Sequence, residues 1–186
     1  MKRVVRTAAC LGALLASMAA HSAEDWVFMA YQDPSWRPGF SLAMMGGQMD
    51  ADYGSQADTV TGVEIAFNSL LLQPRKRHRI RQQISHLTYN ANGARISTFE
   101  ANPHYLVMIQ PNLELGFGPG VALVDVGSRN KERVLGLQLG ASLHYRYQDF
   151  FLGAELRHQF TGSASVNGSE VDADNTRLLI KLGFWL

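Results

Sequence analysis

Residues 135–147 read LGLQLGASLHYRY, and this stretch alternates between two kinds of side chain. Every second residue from Leu135 onwards is leucine, alanine or tyrosine, whereas the residues between them are glycine or polar. Successive side chains of a β-strand point to opposite faces, so this two-residue period predicts a strand with one apolar face. Residues 178–186, LLIKLGFWL, have the same period and predict a similar strand at the end of the chain.

The same period recurs along the rest of the chain and predicts an all-β architecture of about eight strands. The predicted bounds are 39–49, 59–71, 79–89, 96–109, 112–125, 133–147, 150–161 and 175–186. Pro103 lacks a backbone N–H and predicts a locally weakened ladder, at a bulge, in the fourth strand. The pair Asn92 and Gly93 predicts a hairpin turn just before that strand.

The polar face of these strands distinguishes a soluble barrel from a membrane barrel. Glycines occupy that face at Gly62, Gly116, Gly118, Gly120, Gly136, Gly140, Gly153 and Gly183. A soluble barrel would place strand-favouring polar residues on an exposed face, whereas small residues suit a narrow, crowded lumen. We therefore predict a closed antiparallel transmembrane β-barrel with its Leu, Phe, Val and Tyr side chains facing lipid, because hydrocarbon does not tolerate an open sheet edge.

Charged side chains on the same polar face are expected to meet inside the barrel as ion pairs. The predicted lumenal charge network comprises Glu64, Glu100, Glu114, His144, Arg146, Glu155, Arg157 and Lys181. An eight-stranded barrel is just wide enough for side chains to fill it, so bulk permeation is not expected. His104 and His144 are expected to face each other in a lumenal hydrogen-bond network, and we predict neither a metal site nor a cofactor.

The first 23 residues have the features of a secretory signal peptide. Three basic residues come first, at Lys2, Arg3 and Arg6. An uncharged apolar run over residues 7–20 follows and ends in small residues, so cleavage is expected after Ser22 or after Ala23. The predicted divisions are a signal peptide (1–23), a periplasmic leader (24–38) and an outer-membrane barrel (39–186).

The composition suits one domain and gives no sign of a nucleic-acid partner. The chain has 186 residues, of which 46% are hydrophobic, with 17 basic and 16 acidic side chains. Removal of the predicted signal peptide leaves 14 basic and 16 acidic residues, whereas phosphate binding requires a clustered basic surplus. The single cysteine, Cys10, lies in that peptide, and no later stretch of about 18 apolar residues predicts a membrane helix.

An even number of strands places both ends of the barrel on the periplasmic side. Short turns near residues 110–111 and 148–149 would then be periplasmic, and the longer connections would be extracellular. Those longer connections are residues 50–58, 90–94, 127–132 and 162–175. The basic run PRKRHRIR, residues 74–81, falls on the periplasmic side, where we expect a solvated strand end, with an anionic-lipid or partner patch as the alternative.

Three stretches resemble the OmpA-like family of small outer-membrane β-barrels. They are PNLELGFGPGVALV (111–124), LGASLHYRYQDFFLGAELRHQF (139–160) and TRLLIKLGFWL (176–186). The resemblance implies contact with outer-membrane lipid and lipopolysaccharide, a monomer, and insertion by the barrel-assembly machinery. That machinery reads an alternating last strand that normally ends in an aromatic residue, so the implied assembly signal is Phe184, Trp185 and Leu186, with leucine at the last position.

A weaker resemblance is to the lipid A 3-O-deacylase barrels, which carry a lipid-facing His, a Ser two residues later and a Glu. It implies the catalytic candidates His158, Ser163 and Glu170, although Phe160 stands where the family has its serine. Three functions stay open at this point: a non-enzymatic envelope barrel with a plugged lumen, a lipid A deacylase-like hydrolase, and a barrel that binds small hydrophobic ligands or surfaces. The first of these is our principal prediction.

Overall fold

The computed structural model describes residues 26–52, 58–74, 78–91, 94–127, 132–166 and 169–186. Within these ranges only the backbone is described for Ala91, Ala94 and residues 164–166 and 169–171. The predicted signal peptide, with Cys10 and both cleavage positions, lies outside the described residues. The Asn92 and Gly93 turn also lies outside them, between Ala91 and Ala94, which pair directly with each other.

The described chain forms a closed eight-stranded barrel and two small two-stranded sheets, which confirms the predicted all-β fold class. The barrel strands are β2 (Ser41–Ala51), β3 (Asp58–Asn68), β5 (His78–Ala91), β6 (Ala94–Gln110), β7 (Leu113–Val126), β8 (Glu132–Tyr147), β9 (Phe150–Thr161) and β12 (Asn175–Trp185). The strands of the two small sheets are β1 (Trp26–Phe28), β4 (Leu72–Pro74), β10 (Ala164–Val166) and β11 (Ser169–Val171). No helix in the described ranges is long and apolar enough to cross a bilayer.

All neighbouring barrel strands are antiparallel, and the ring closes through β12. The order around the barrel is β12, β2, β3, β5, β6, β7, β8 and β9, and β9 pairs again with β12. The closing ladder of β12 on β2 is continuous from Asn175 opposite Ala51 to Trp185 opposite Ser41. No barrel strand therefore presents an unpaired edge, as a sheet surrounded by hydrocarbon requires.

The alternation along each strand separates an outward apolar face from an inward face. Leu135 is 72% exposed and Leu182 is 63% exposed, whereas Gly136 and Lys181 next to them are buried. The outward face thus exposes far more contiguous apolar surface than a soluble protein would leave in water. This arrangement agrees with the predicted lipid-facing set.

The two ends of the barrel differ in their connections. At one end, here called the terminal end, the turns between β6 and β7 and between β8 and β9 are short, and the barrel begins at Ser41 and ends at Trp185. The opposite end, here called the loop end, carries the connections between β2 and β3, β5 and β6, β7 and β8, and β9 and β12. The last of these contains the β10–β11 hairpin. The grouping of connections at the two ends is the one predicted from strand parity. The predicted difference in length holds only in part, because the connection between β5 and β6 (92–93) is as short as the terminal-end turns and the connection between β3 and β5 (69–77) is longer.

The described part of the leader packs against the rim of the terminal end. Its strand β1 pairs antiparallel with β4, which lies in the connection between β3 and β5. A single 3-10 turn at Ala30–Gln32 follows, and the Trp36 indole Nε1 donates a hydrogen bond to the Ser69 carbonyl at 3.2 Å. These contacts hold the described part of the leader against the barrel rim.

Candidate functional site

The middle of the lumen contains a chain of buried ion pairs that links three strands. Lys181 on β12 places its Nζ 2.5 Å from a Glu64 oxygen and 2.6 Å from a Glu155 oxygen. Arg157 places its Nε 2.7 Å from the other Glu155 oxygen. All four side chains are almost fully buried. Such a pair is stable only while both partners are present, since removal of one leaves a buried charge uncompensated.

A second buried ion pair crosses the lumen beside the first cluster. Arg177 on β12 pairs with Glu100 on β6, and these two strands are not neighbours in the barrel wall. Glu100 also accepts hydrogen bonds of 3.3 Å from the Ser85 hydroxyl and the Asn102 amide. Arg177 is absent from the predicted network, although the alternation of the last strand, extended two residues before Leu179, would have placed it on the inward face.

The lumenal glycines make room for these side chains. A Cβ at Gly140 would stand 3.0 Å from the Arg157 guanidinium carbon. A Cβ at Gly153 would stand 2.8 Å from the His144 ring and 3.4 Å from Lys181. Gly140 and Gly153 therefore face the charge network directly, and a side chain at either position would displace part of it.

His104 and His144 both point into the lumen, each with its own contact. His104 is fully buried, and its Nδ1 lies 3.2 Å from the Ser142 hydroxyl. The His144 ring stands edge-on to Phe151, with centroids 5.9 Å apart. Within the described ranges, no group of three or more His, Cys, Asp or Glu side chains is placed to hold a metal ion.

The lumen at the loop end is apolar. The buried apolar cluster there comprises Met45, Met49, Ala51, Val60, Leu87, Tyr89, Ile96, Ala122, Val124, Val126, Ala173 and Leu179. Most of these residues lie on the inward face near the loop-end termini of their strands. This part of the lumen is packed like the core of a soluble protein, so the charge network is shielded from the loop end.

Three arginines surround one tryptophan at the terminal end, in a group here called the arginine mouth. The guanidinium carbons of Arg79, Arg81 and Arg146 lie 4.8, 4.1 and 4.7 Å from the Trp185 ring centroid. Cation–π contacts of this kind contribute about 0.5–2 kcal/mol each, depending on burial. Glu114 pairs with Arg79 at 2.5 Å. Glu114 and Arg146 therefore belong to this mouth, apart from the central ion pairs.

The prediction of a solvated strand end is wrong for the described part of the basic run. Arg81 is only 4% exposed, and its guanidinium donates to the Gly39 carbonyl at 2.8 Å and to the Ser41 hydroxyl at 2.7 Å. Residues 75–77 lie outside the described residues. β5 carries polar side chains on both faces, so hydrophobic alternation gives no clear phase there.

The three residues of the proposed assembly signal have different environments. Phe184 points outward, whereas Trp185 points inward against the arginines. Leu186 is exposed, and its backbone N–H donates to the Phe40 carbonyl at 2.9 Å. Trp185 therefore has a packing role in the finished barrel, whatever its role during insertion.

The structure does not assemble the catalytic candidates into a triad among the side chains it describes. His158 lies on the outward face, where its Nδ1 is 2.7 Å from the Thr176 hydroxyl and its ring stands edge-on to Phe160 at 4.3 Å. Ser163 is exposed in the connection after β9. The backbone of Glu170 pairs with Ser165 in the β10–β11 hairpin, and its side chain lies outside the described part.

Comparison with solved structures identifies the class of protein that has this fold. Neisserial surface protein A is 13% identical with a TM-score of 0.59, over 78% of this chain and 95% of its own. Ail, the attachment invasion locus protein of Yersinia pestis, is 12% identical with a TM-score of 0.53, over 81% of this chain and all of its own. The N-terminal β-barrel domain of OprF from Pseudomonas aeruginosa is 16% identical with a TM-score of 0.50, over 81% and 100%.

The chain therefore has the fold of the small eight-stranded outer-membrane β-barrels, as its resemblance to the OmpA-like family implied. No protein-family model matches the sequence, and no curated protein matches it either. At these identities the likeness is one of fold, so the activity has to be argued from the lumen and the surface.

Proposed function

We propose that this chain is a non-enzymatic outer-membrane barrel of the bacterial envelope whose lumen is closed by its own side chains. The observation that supports the proposal is the buried Lys181, Glu155 and Arg157 cluster at the middle of the lumen. The buried apolar cluster lies above it at the loop end. Water and solutes would have to displace both layers to pass, so the barrel serves the membrane as a rigid structural element.

The same proposal assigns the remaining segments. Residues 1–23 are an export signal, residues 24–38 a periplasmic leader, and residues 39–186 the barrel, with the loop end outside the cell. Phe184, Trp185 and Leu186 form the signal for the barrel-assembly machinery. The outward apolar band contacts outer-membrane lipid and lipopolysaccharide around a monomer.

Planar-bilayer recording tests the closed lumen. We expect the folded wild-type barrel to show no steady conductance, and Arg157→Ala to raise conductance because it removes the side chain that reaches across the lumen from β9 to Gln83 on β5. Arg133→Ala is the matched control, since Arg133 pairs with Asp125 at an exposed position. A wild-type barrel with a stable open conductance would refute the plugged lumen.

Among the alternatives, surface binding has more support than hydrolysis. Ail has been crystallised with the heparin analogue sucrose octasulfate, so a barrel of this fold class binds a sulfated sugar. In this chain the connection between β9 and β12 carries Glu170, Asp172 and Asp174. Its acidic composition disfavours a polyanion, so we expect any ligand of this loop to be neutral or basic.

A further inference from the structure

The barrel wall has one interruption between β6 and β7. These strands pair at Ala101 opposite Val121 and again at Tyr105 opposite Phe117, with the same register on both sides. Residues 102–104 and 118–120 are all described, yet they form no ladder pair. The unchanged register places Pro103 directly opposite Pro119. The ladder irregularity at a bulge lies elsewhere, between Met108 and Gln110, so the bulge predicted at Pro103 is wrong.

The two prolines explain why three consecutive pairs are lost. Opposite residues in an antiparallel ladder alternate between two kinds of pair. A bonded pair exchanges two N–H···O hydrogen bonds, and a non-bonded pair exchanges none and lies between two bonded pairs. If Pro103 and Pro119 were the non-bonded kind, the flanking residues would keep the ladder intact. The loss of all three pairs indicates that the prolines occupy a bonded position, where neither has an N–H to donate. The carbonyls of Pro103 and Pro119 therefore lose their ladder donors.

The interruption lies near the middle of both strands and is confined to this seam. On the other flanks, Pro103 still pairs with Gln82 and Pro119 still pairs with Leu139. Both prolines are exposed on the outward face. An unsatisfied backbone group in hydrocarbon costs several kcal/mol, so these carbonyls require a donor from somewhere.

The lumenal side of the seam adds further unsatisfied atoms. In the described structure, Asn102 Oδ1 and His104 Nε2 are buried and have no hydrogen-bond partner. Gly118 and Gly120 bring no side chain to cover the seam, and a Cβ at Gly120 would stand 2.8 Å from the Asn102 amide carbon. The seam thus has two backbone carbonyls without ladder donors and, on its lumenal side, two side-chain atoms without hydrogen-bond partners.

We propose that this seam is a binding site, entered from the membrane, for a hydroxyl group carried on an apolar chain. The hydroxyl donates to the Pro103 carbonyl, which the missing N–H of Pro119 leaves without a ladder donor. The chain lies along the outward face, where Tyr105 and Phe117 form a ring pair with centroids 5.5 Å apart. This assignment is independent of the closed lumen, because the ligand stays within the wall.

Solution NMR of the micelle-embedded barrel tests the site with 1-decanol as the probe and n-decane as the matched apolar control. We expect saturable shifts of the Gly118 and Gly120 amides with 1-decanol and no saturable shift with n-decane. Gly46, an outward glycine on β2 with no neighbour within 4 Å of a built Cβ, is the internal reference. Saturable shifts with both compounds, or with neither, would overturn the proposal.

A substitution then tests the chemistry. Pro119→Ala returns an N–H to the ladder and supplies a donor to the Pro103 carbonyl, so 1-decanol should bind about fivefold more weakly, the loss of one hydrogen bond of about 1 kcal/mol. Pro111→Ala, in the short turn, should bind as the wild type does. Unchanged affinity in Pro119→Ala would contradict the assignment, and if that variant does not fold, the comparison of the two probes on the wild type decides.

Discussion

At the scale of single residues, the Glu155 carboxylate contacts two buried cations at once. One of its oxygens meets Arg157 and the other meets Lys181, so two buried cations depend on one acid. The lumen has little water to solvate either cation if the acid is lost. The central network is therefore a cooperative unit. Loss of one of its members costs more stability than loss of one partner of a surface ion pair.

Glu155→Gln is expected to lower the free energy of unfolding by about 3–5 kcal/mol, since it leaves two buried cations short of one negative charge. Urea unfolding of the barrel in lipid vesicles measures this change. Asp125→Asn is the control, because it breaks a pair whose arginine is 65% exposed and which contributes about 0–1 kcal/mol. Equal losses in the two variants would mean that the central network carries no special stability.

Trp185 gives a second prediction at this scale. Trp185→Ala removes the ring that three guanidiniums share and is expected to cost about 3–5 kcal/mol of equilibrium stability. Leu186→Ala, at the exposed last residue, should leave the unfolding free energy unchanged. Equilibrium unfolding, measured beside the yield of assisted insertion, separates the two roles of Trp185. A variant that inserts poorly but unfolds like the wild type would assign Trp185 to assembly alone.

At the scale of elements, β8 shows how one strand serves two environments. Its outward face carries Leu135, Leu137 and Leu139, and its inward face carries Gly136, Gln138 and Gly140. The space beside these glycines is occupied by side chains of β9, above all by Arg157. The glycine-rich inward face of β8 therefore sets the space available to the charge network.

Gly140→Ala is expected to destabilise the barrel by about 1–3 kcal/mol, because its Cβ would press on the Arg157 guanidinium at 3.0 Å. Gly46→Ala on β2 is the matched change, since a Cβ there has no neighbour within 4 Å. That variant should be neutral or slightly more stable, because alanine restricts the unfolded chain. The urea midpoint of each variant measures the difference, and a Gly140→Ala barrel as stable as Gly46→Ala would refute the packing argument.

The elements also differ in how well their sequence predicts them. In β8, β9 and β12 the apolar and polar faces are distinct. Alternation alone therefore predicts that each segment is a strand and which of its side chains share a face. β5 mixes Arg79, Arg81 and Gln83 on one face with Gln82 and His86 on the other, and its inward arginines were not foreseen. Val124 and Val126 were not recognised as lumenal, because an apolar residue can face lipid or an apolar core, and only the register distinguishes them.

At the scale of the whole molecule, the lumen is divided into three layers along the barrel axis. A buried apolar cluster lies at the loop end, ion pairs lie in the middle, and the arginine mouth lies at the terminal end. Each layer is built from strands around the ring. The proposed structural role rests on this layering.

The outward position of His158 sets a further whole-molecule prediction. Lipid A extracted from outer membranes that contain the barrel is expected to keep all its acyl chains, because the described polar partner of His158 is Thr176 rather than a serine. Mass spectrometry of lipid A, with His158→Ala alongside, measures this. Loss of an acyl chain with the wild type that is absent with His158→Ala would establish the hydrolase instead.

The ladder between β12 and β2 has one more consequence. Because the last strand pairs with the first barrel strand along its whole length, the two ends of the barrel sequence are adjacent in space. The ring of strands consequently has no intrinsic beginning. A circularly permuted gene, with Trp185 joined to Ser41 by a short linker and new termini in the connection between β7 and β8, would encode the same ring of hydrogen bonds. We therefore expect the position of the termini to affect export and insertion and to leave the barrel geometry unchanged.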